Sequence, residues 1–174
     1  LISAFNGDDA MDYDEGWRGK NQYWFVVQRP DKANRGGEHD GGTDPEDGTP
    51  YATPYVLNAT YIGSGSSAID AANDRAIYFR DNAGGAYINS IFTQFQGTGV
   101  VVEDLESGED SRSRLENGDL MLANNIWFDF GAGNTLADIA AQDFVQTHLS
   151  GNNNQIVDPM LGGVPRLDCD PRGG

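Results

Sequence analysis

The sequence predicts an all-β solenoid, in which short parallel strands stack coil upon coil, and three observations carry that prediction. An asparagine followed by aromatic or β-branched residues recurs four times, at Asn21-Gln-Tyr-Trp-Phe25, Asn58-Ala-Thr-Tyr-Ile62, Asn89-Ser-Ile-Phe-Thr93 and Asn124-Asn-Ile-Trp-Phe128. The intervals are 37, 31 and 35 residues, and a recurrence of this period marks folds in which each unit buries its strand only against its neighbours. Strand-like runs elsewhere are short and bounded by Gly, Asp or Asn, which leaves a β-sandwich as the alternative. The asparagines favour the solenoid. Equivalent residues of successive coils lie about 4.8 Å apart, so Asn21, Asn58, Asn89 and Asn124 could hydrogen-bond along the axis as a ladder. A sandwich gives no reason for Asn to precede each strand.

Taken in order, Leu1 to Phe5 reads as a strand end, and Ala10-Met-Asp-Tyr13 alternates apolar and polar positions after the turn at Asn6-Gly-Asp-Asp9. The strongest strand signal is Gln22-Tyr-Trp-Phe-Val-Val-Gln28, ended by Pro30. Residues 29–54 show no apolar period and read as a long loop excursion. Strand signals return over 55–62, 76–79, 86–92 and 99–103; 103–117 is a second excursion; strands resume over 120–122 and 126–130. One stretch departs from this pattern. Leu136, Ile139, Ala140, Phe144 and Leu149 fall on one helical face, so an α-helix is expected near 135–149, capped by Thr135 with Asp138 and ended at Gly151. Residues 152–174 read as a coil-rich exit around a short Ile156-Val157 strand.

A chain of 174 residues with 38% apolar composition has enough core for a single domain over 1–174. It carries 27 acidic against 11 basic residues, a net charge of −16. Such a field repels polyanions, which argues against nucleic-acid binding and suits either solubility outside the cell or cation binding. No apolar run reaches the roughly 20 residues that cross a bilayer. The single Cys169 cannot form an internal disulfide. The chain starts at Leu1 without an initiator Met, and is read as a processed product or a fragment of a longer polypeptide, whose remainder, or another subunit, would then be a partner.

The segment Asn6-Gly-Asp-Asp-Ala-Met-Asp-Tyr-Asp-Glu-Gly-Trp-Arg-Gly-Lys-Asn-Gln-Tyr-Trp-Phe25, with the closing Val157-Asp-Pro-Met-Leu161, resembles right-handed parallel β-helix proteins of the pectate-lyase-like superfamily. More narrowly, it resembles secreted bacterial members of that fold. The resemblance spans most of residues 1–165. It implies some three strands per coil, excursions from chosen corners, a secreted or cell-surface location, and polysaccharide or cell-surface glycan as ligand.

Candidate chemistry concentrates before Asn21. Asp8, Asp9, Asp12, Asp14 and Glu15 place five carboxylates within eight residues, a crowding that Ca²⁺ would relieve and a solvated acidic turn would tolerate. The terminal Glu spacing of an EF-hand is missing. A second acidic group, Glu38, Asp40, Asp44, Glu46 and Asp47, surrounds His39 in a Gly-rich loop. His39, His148 and Cys169 have no zinc-motif spacing, and no Gly-x-Ser-x-Gly occurs. If the resemblance extends to activity, it implies a calcium-assisted polysaccharide lyase with Arg18 or Lys20 as base, or a glycoside hydrolase using paired Asp. Trp17, Trp24 and Tyr51 are candidate sugar-stacking residues, with Tyr23 and Tyr55 beside them. The structural or glycan-binding domain remains the primary expectation. A subunit of an extracellular filament or surface layer is a further one, since solenoid ends are strand edges.

Overall fold

A computed structural model describes residues 1–42, 45–68 and 72–163. Asp44, Cys169 and the last part of the exit coil lie outside the described residues. The chain winds through three parallel sheets in strict rotation. The first sheet holds β1 (Ile2–Ala4), β4 (Phe25–Val27), β7 (Thr60–Ile62), β10 (Ile91–Thr93) and β13 (Ile126–Phe128). The second holds β2 (Met11–Tyr13), β5 (Gly37–Asp40), β8 (Arg75–Arg80) and β11 (Thr98–Val102). The third holds β3 (Lys20–Gln22), β6 (Tyr55–Leu57), β9 (Gly85–Ile88) and β12 (Leu120–Ala123). Each coil therefore contributes one strand to each sheet, and every strand pairs with its counterpart one coil away. This is the parallel β-helix that the sequence led us to expect.

The corner between the third and first sheets is the most regular. Tyr23, Asn58, Asn89, Asn124 and Asn153 all adopt left-handed backbone, with φ between 54° and 58°. One such residue reverses the chain between strands, and Asn visits this region more readily than most residues because its short amide bonds locally. The continuous strand signals at 22–28, 55–62 and 86–92 are accordingly each split in two. Asn89 Nδ2 donates to Asn58 Oδ1 at 2.5 Å, and Asn153 Nδ2 donates to Asn124 Oδ1 at 2.9 Å. The first rung falls on Tyr23, whose amide donates to Leu57 O at 3.0 Å. Asn21 lies two residues earlier, in β3, paired with Val56, so it is not a rung. The apparent motif at Asn21 resembles the others in composition but is out of register by two residues.

Inside the coils, aligned side chains stack as columns. Val26, Tyr61, Phe92 and Trp127 share one row of the first sheet, and the Phe92 and Trp127 rings stack with centroids 4.4 Å apart. Tyr13, His39 and Phe79 share a row of the second. Tyr13 lies on His39 at 3.9 Å and 5°, and His39 Nε2 is 2.8 Å from the Tyr87 hydroxyl, which is 3.1 Å from that of Tyr61. His39 is fully buried, and burial pushes its imidazole down to about 3, so it is neutral in the core.

β5 arises inside the stretch expected to be loop. Its inward residues are Gly37 and His39 and its outward ones Glu38 and Asp40, so it carries no apolar signal. The excursion 103–117 likewise contains α1 (Ser111–Asn117), whose N-cap Asp110 accepts from Ser113 N and whose Gly118 closes it at φ 84°.

The helix expected over 135–149 is two helices, α2 (Leu136–Ile139) and α3 (Asp143–Gly151). The Thr135 and Asp138 cap forms reciprocally. The break at 140–142 has a specific cause: Gln142 bonds the edge of β11, its Oε1 accepting from Val102 N at 3.0 Å and its Nε2 donating to Val102 O at 2.6 Å. His148 Nε2 accepts from Leu122 N at 3.0 Å, and Asn154 Nδ2 donates to Leu122 O at 2.8 Å. Three side chains thus satisfy backbone groups on the last strands of two sheets, in place of a fifth coil. Beyond α3 the chain returns to the stack, where Gln155 forms an isolated parallel bridge with Ile126 rather than a strand at Ile156-Val157.

Candidate functional site

The outward faces of the coils are set by the same register, because alternate residues of each strand point away from the core. On the third sheet the outward rows are Lys20, Tyr55, Ala86, Met121 and Gln22, Leu57, Ile88, Ala123. The connections entering this sheet rise beside it: 14–19 carries Trp17 and Arg18, 45–54 carries Tyr51, and α1 carries Arg114. Between them lies a groove of 480 Å³ whose lining includes Arg18, Tyr51, Tyr55, Ile88, Arg114 and Met121.

Two guanidiniums and two phenols meet in that groove. Arg114 lies over the Tyr51 ring at 5.0 Å, and its charge is shared with Glu109 at 2.7 Å and Asp119 at 3.4 Å. Arg18 Nη2 donates to the Tyr51 carbonyl at 3.3 Å and makes no ion pair among the described residues. Tyr55 is half-exposed, so its ring is offered to solvent across the sheet. Chemically, the groove provides an apolar floor, flat π-surfaces and cationic donors, a combination suited to a sugar ring that carries a negative group.

The outward face of the second sheet is different. Asp12 and Glu38 sit side by side on β2 and β5, and Asp9, Asp12 and Glu38 bring carboxylate oxygens within 4.8 Å of one another. Burial holds the Asp9 carboxyl up to about 6 despite the bond from Arg35 N at 2.7 Å, and the Glu38 carboxylate pushes it further in the same direction. Asp12 is raised by burial and by Asp40, Glu38 and Asp14. Two cations already compensate this cluster. Arg35 reaches Glu38 at 2.9 Å and Asp9 at 4.0 Å, while Arg80 reaches Glu38 at 3.4 Å and binds Asp40 through both oxygens. Any metal ion taken by these three carboxylates competes with those guanidiniums.

The residues singled out from the sequence therefore scatter. Of the N-terminal acidic run, Asp9 and Asp12 belong to this cluster, joined by Glu38 from the second acidic group; Asp8, Asp14 and Glu15 are exposed and outside it. Arg18 and Tyr51 line the groove. Lys20 is exposed on the outward row next to Tyr55. Trp17 and Trp24 do not line the groove: their rings lie parallel at 6.2 Å, Trp24 is buried, and both border a separate 490 Å³ hollow at the first coil with Leu1, Met11 and Tyr13. Arg35, Arg80 and Arg114 were missed. A lone Arg carries no spacing signal, and only the coil register shows which acids it meets.

No curated protein and no solved structure matches the chain significantly. A family model does, over residues 1–158, and it describes a pectate-lyase like beta helix domain. With three all-parallel sheets wound coil by coil and that match over nearly the whole chain, the protein belongs to the pectate-lyase-like β-helix family.

Proposed function

We propose that the chain is an extracellular glycan-binding β-helix domain that holds an acidic polysaccharide in the groove on its third sheet. The observation that carries this reading is the pairing of Arg18, free of ion-pair partners among the described residues, with the exposed ring of Tyr55 along one groove. In a chain of net charge −16, the Arg18 guanidinium, held in an aromatic-walled groove with no ion-pair partner among the described residues, is a local exception to the overall field, and local charge decides which ligand is held. Extended polysaccharides suit an extended sheet face, since successive coils present equivalent positions along the solenoid axis. Affinity gel electrophoresis against pectate, alginate, glycosaminoglycans and neutral glucans tests it. Retardation is expected in at least one acidic gel. Tyr55→Ala or Arg18→Ala should weaken it by about tenfold, roughly 1.4 kcal/mol. Equal mobility in every gel contradicts the reading.

A second reading, a carbohydrate-active enzyme, draws on a separate observation: the Asp9 carboxyl, raised to about 6 beside Glu38, is able to hold or release a proton near neutral pH. That cluster lies on the second sheet rather than in the groove. A lyase would instead draw on Arg18 or Lys20 beside the groove. Incubation with each acidic polysaccharide, followed by ultraviolet absorbance for unsaturated products and reducing-end release for hydrolysis, separates enzyme from binder. Products abolished by Asp9→Asn would favour hydrolysis at the second sheet.

A further inference from the structure

Every sheet begins on a strand of the first coil, β1, β2 or β3, so the inward side chains of that coil have no coil stacked above them among the described residues. A hollow of 490 Å³ lies there, a volume suited to a small molecule. Aromatic rings shape it. Tyr13 has His39 over one face at 3.9 Å and 5°, and its hydroxyl donates to Gly84 O at 2.8 Å, so what it offers the hollow is its opposite π-face. Trp17 stands 5.8 Å from Tyr13 at 46°, an open angle rather than a stack, and the buried Trp24 lies parallel to Trp17 at 6.2 Å. Gly19 packs against the Trp17 ring so closely that a Cβ would not fit, which holds that ring in place. Two carboxylates, Asp12 and Asp14, join the lining, and no Lys or Arg side chain is part of it.

We propose that this hollow binds a small quaternary ammonium ion such as choline, its methyl groups against the faces of Tyr13 and Trp17 and its charge balanced by Asp12 and Asp14. The faces of aromatic rings carry negative potential, and a cation that also has an apolar surface gains from both properties of the wall. Other ligand classes fit it less well. A metal ion keeps its water and gains nothing from the rings, an anion is repelled by the carboxylates, and a neutral ring leaves them without a counter-charge. The surroundings agree with the sign. No ion pair engages Asp12 among the described residues, and burial, with Asp40, Glu38 and Asp14, raises its carboxyl above the ordinary value, an effect that Arg80 offsets only in part. The site is independent of the glycan reading, since the hollow and the groove on the third sheet share no lining residue.

The test is calorimetric titration of the full chain with choline chloride, beside its neutral isostere 3,3-dimethyl-1-butanol, in which carbon replaces the charged nitrogen. Choline is expected to bind with Kd of about 10⁻³ M or tighter, and the isostere at least about tenfold more weakly. Trp17→Leu keeps an apolar wall but removes its π-face, and Asp12→Asn/Asp14→Asn keeps the shape but removes the charge; each should weaken choline binding by at least about fivefold. Tyr55→Ala, in the groove, should bind choline as the parent does. No heat of binding up to about 50 mM overturns the proposal. So does an isostere that binds as tightly as choline, which would make the hollow merely apolar. Parental choline affinity in either hollow variant, once circular dichroism shows that it is folded, overturns it as well.

Discussion

At the corner between the third and first sheets one dihedral per coil turns the chain, and the residue there decides how much strain the turn costs. Four of the five rungs are Asn, but the first is Tyr23 at φ 58° with its ring 69% exposed. Left-handed backbone costs an ordinary residue about 1–2 kcal/mol, and Asn less. Tyr23→Asn should therefore stabilise the protein by about 0.5–1 kcal/mol, read as a higher urea midpoint at unchanged slope. Asn89→Ala should do the reverse, costing about 1–2 kcal/mol through strain and the lost bond to Asn58. Single residues also set the pH response. His39 is neutral in the fold and ordinary when unfolded, so its contribution is complete above about 6.5 and falls as pH drops toward 3, by about 1.4 kcal/mol per pH unit. Asp9 has the opposite sign. Its folded pKa is raised to about 6 from 3.8, so its contribution is complete below 3.8 and lost as pH rises through 6. Between those values the two slopes oppose each other. Asp9→Asn should remove the compensation and steepen acid destabilisation in that window, as measured by denaturant midpoints at a series of pH values; an unchanged profile would contradict the assignment.

The last elements of the solenoid solve a different problem, the strand edges left where coils end. Gln142 mimics a strand residue by bonding both backbone groups of Val102, and His148 accepts the Leu122 amide. Hydrogen exchange should show Val102 and Leu122 amides among the protected ones, and Gln142→Ala should selectively expose Val102 while costing about 1–3 kcal/mol. His148 serves as an acceptor only when neutral, and burial lowers its pKa. Protection of Leu122 should accordingly weaken as pH falls below the ordinary histidine value near 6.5. This device was not legible in the sequence. The 3.6-residue period runs through Ala140 to Gln142 because Leu136, Ile139, Ala140, Phe144 and Leu149 all pack on the core, whereas the break comes from one long-range pair of bonds. β5 was hidden for the converse reason: its core positions are Gly37 and His39, which periodicity counts as polar.

Across the whole molecule, the coil architecture was readable because it repeats. Asn58, Asn89 and Asn124 each precede a strand at the same offset, and stacking converts that offset into a column. The sites were readable only in fragments. Asp9 and Asp12 were visible as a local acidic run, but Glu38, Arg35 and Arg80 join them only through the pairing of β2, β5 and β8. Arg18 and Tyr51 were visible as residue types, while their meeting in one groove depends on two connections rising from the same corner. Trp24 shows the limit of composition most directly: an aromatic in a strand looks equally fit for sugar or core, and this one is buried. The groove on the third sheet is the central functional claim. Hydrogen-exchange mass spectrometry of the full chain, with and without a saturating acidic oligosaccharide, tests it most directly. Protection confined to 17–20, 51–57, 84–88 and 118–123 is the predicted result; protection on the second sheet at 36–40 and 75–80, or none anywhere, would contradict it.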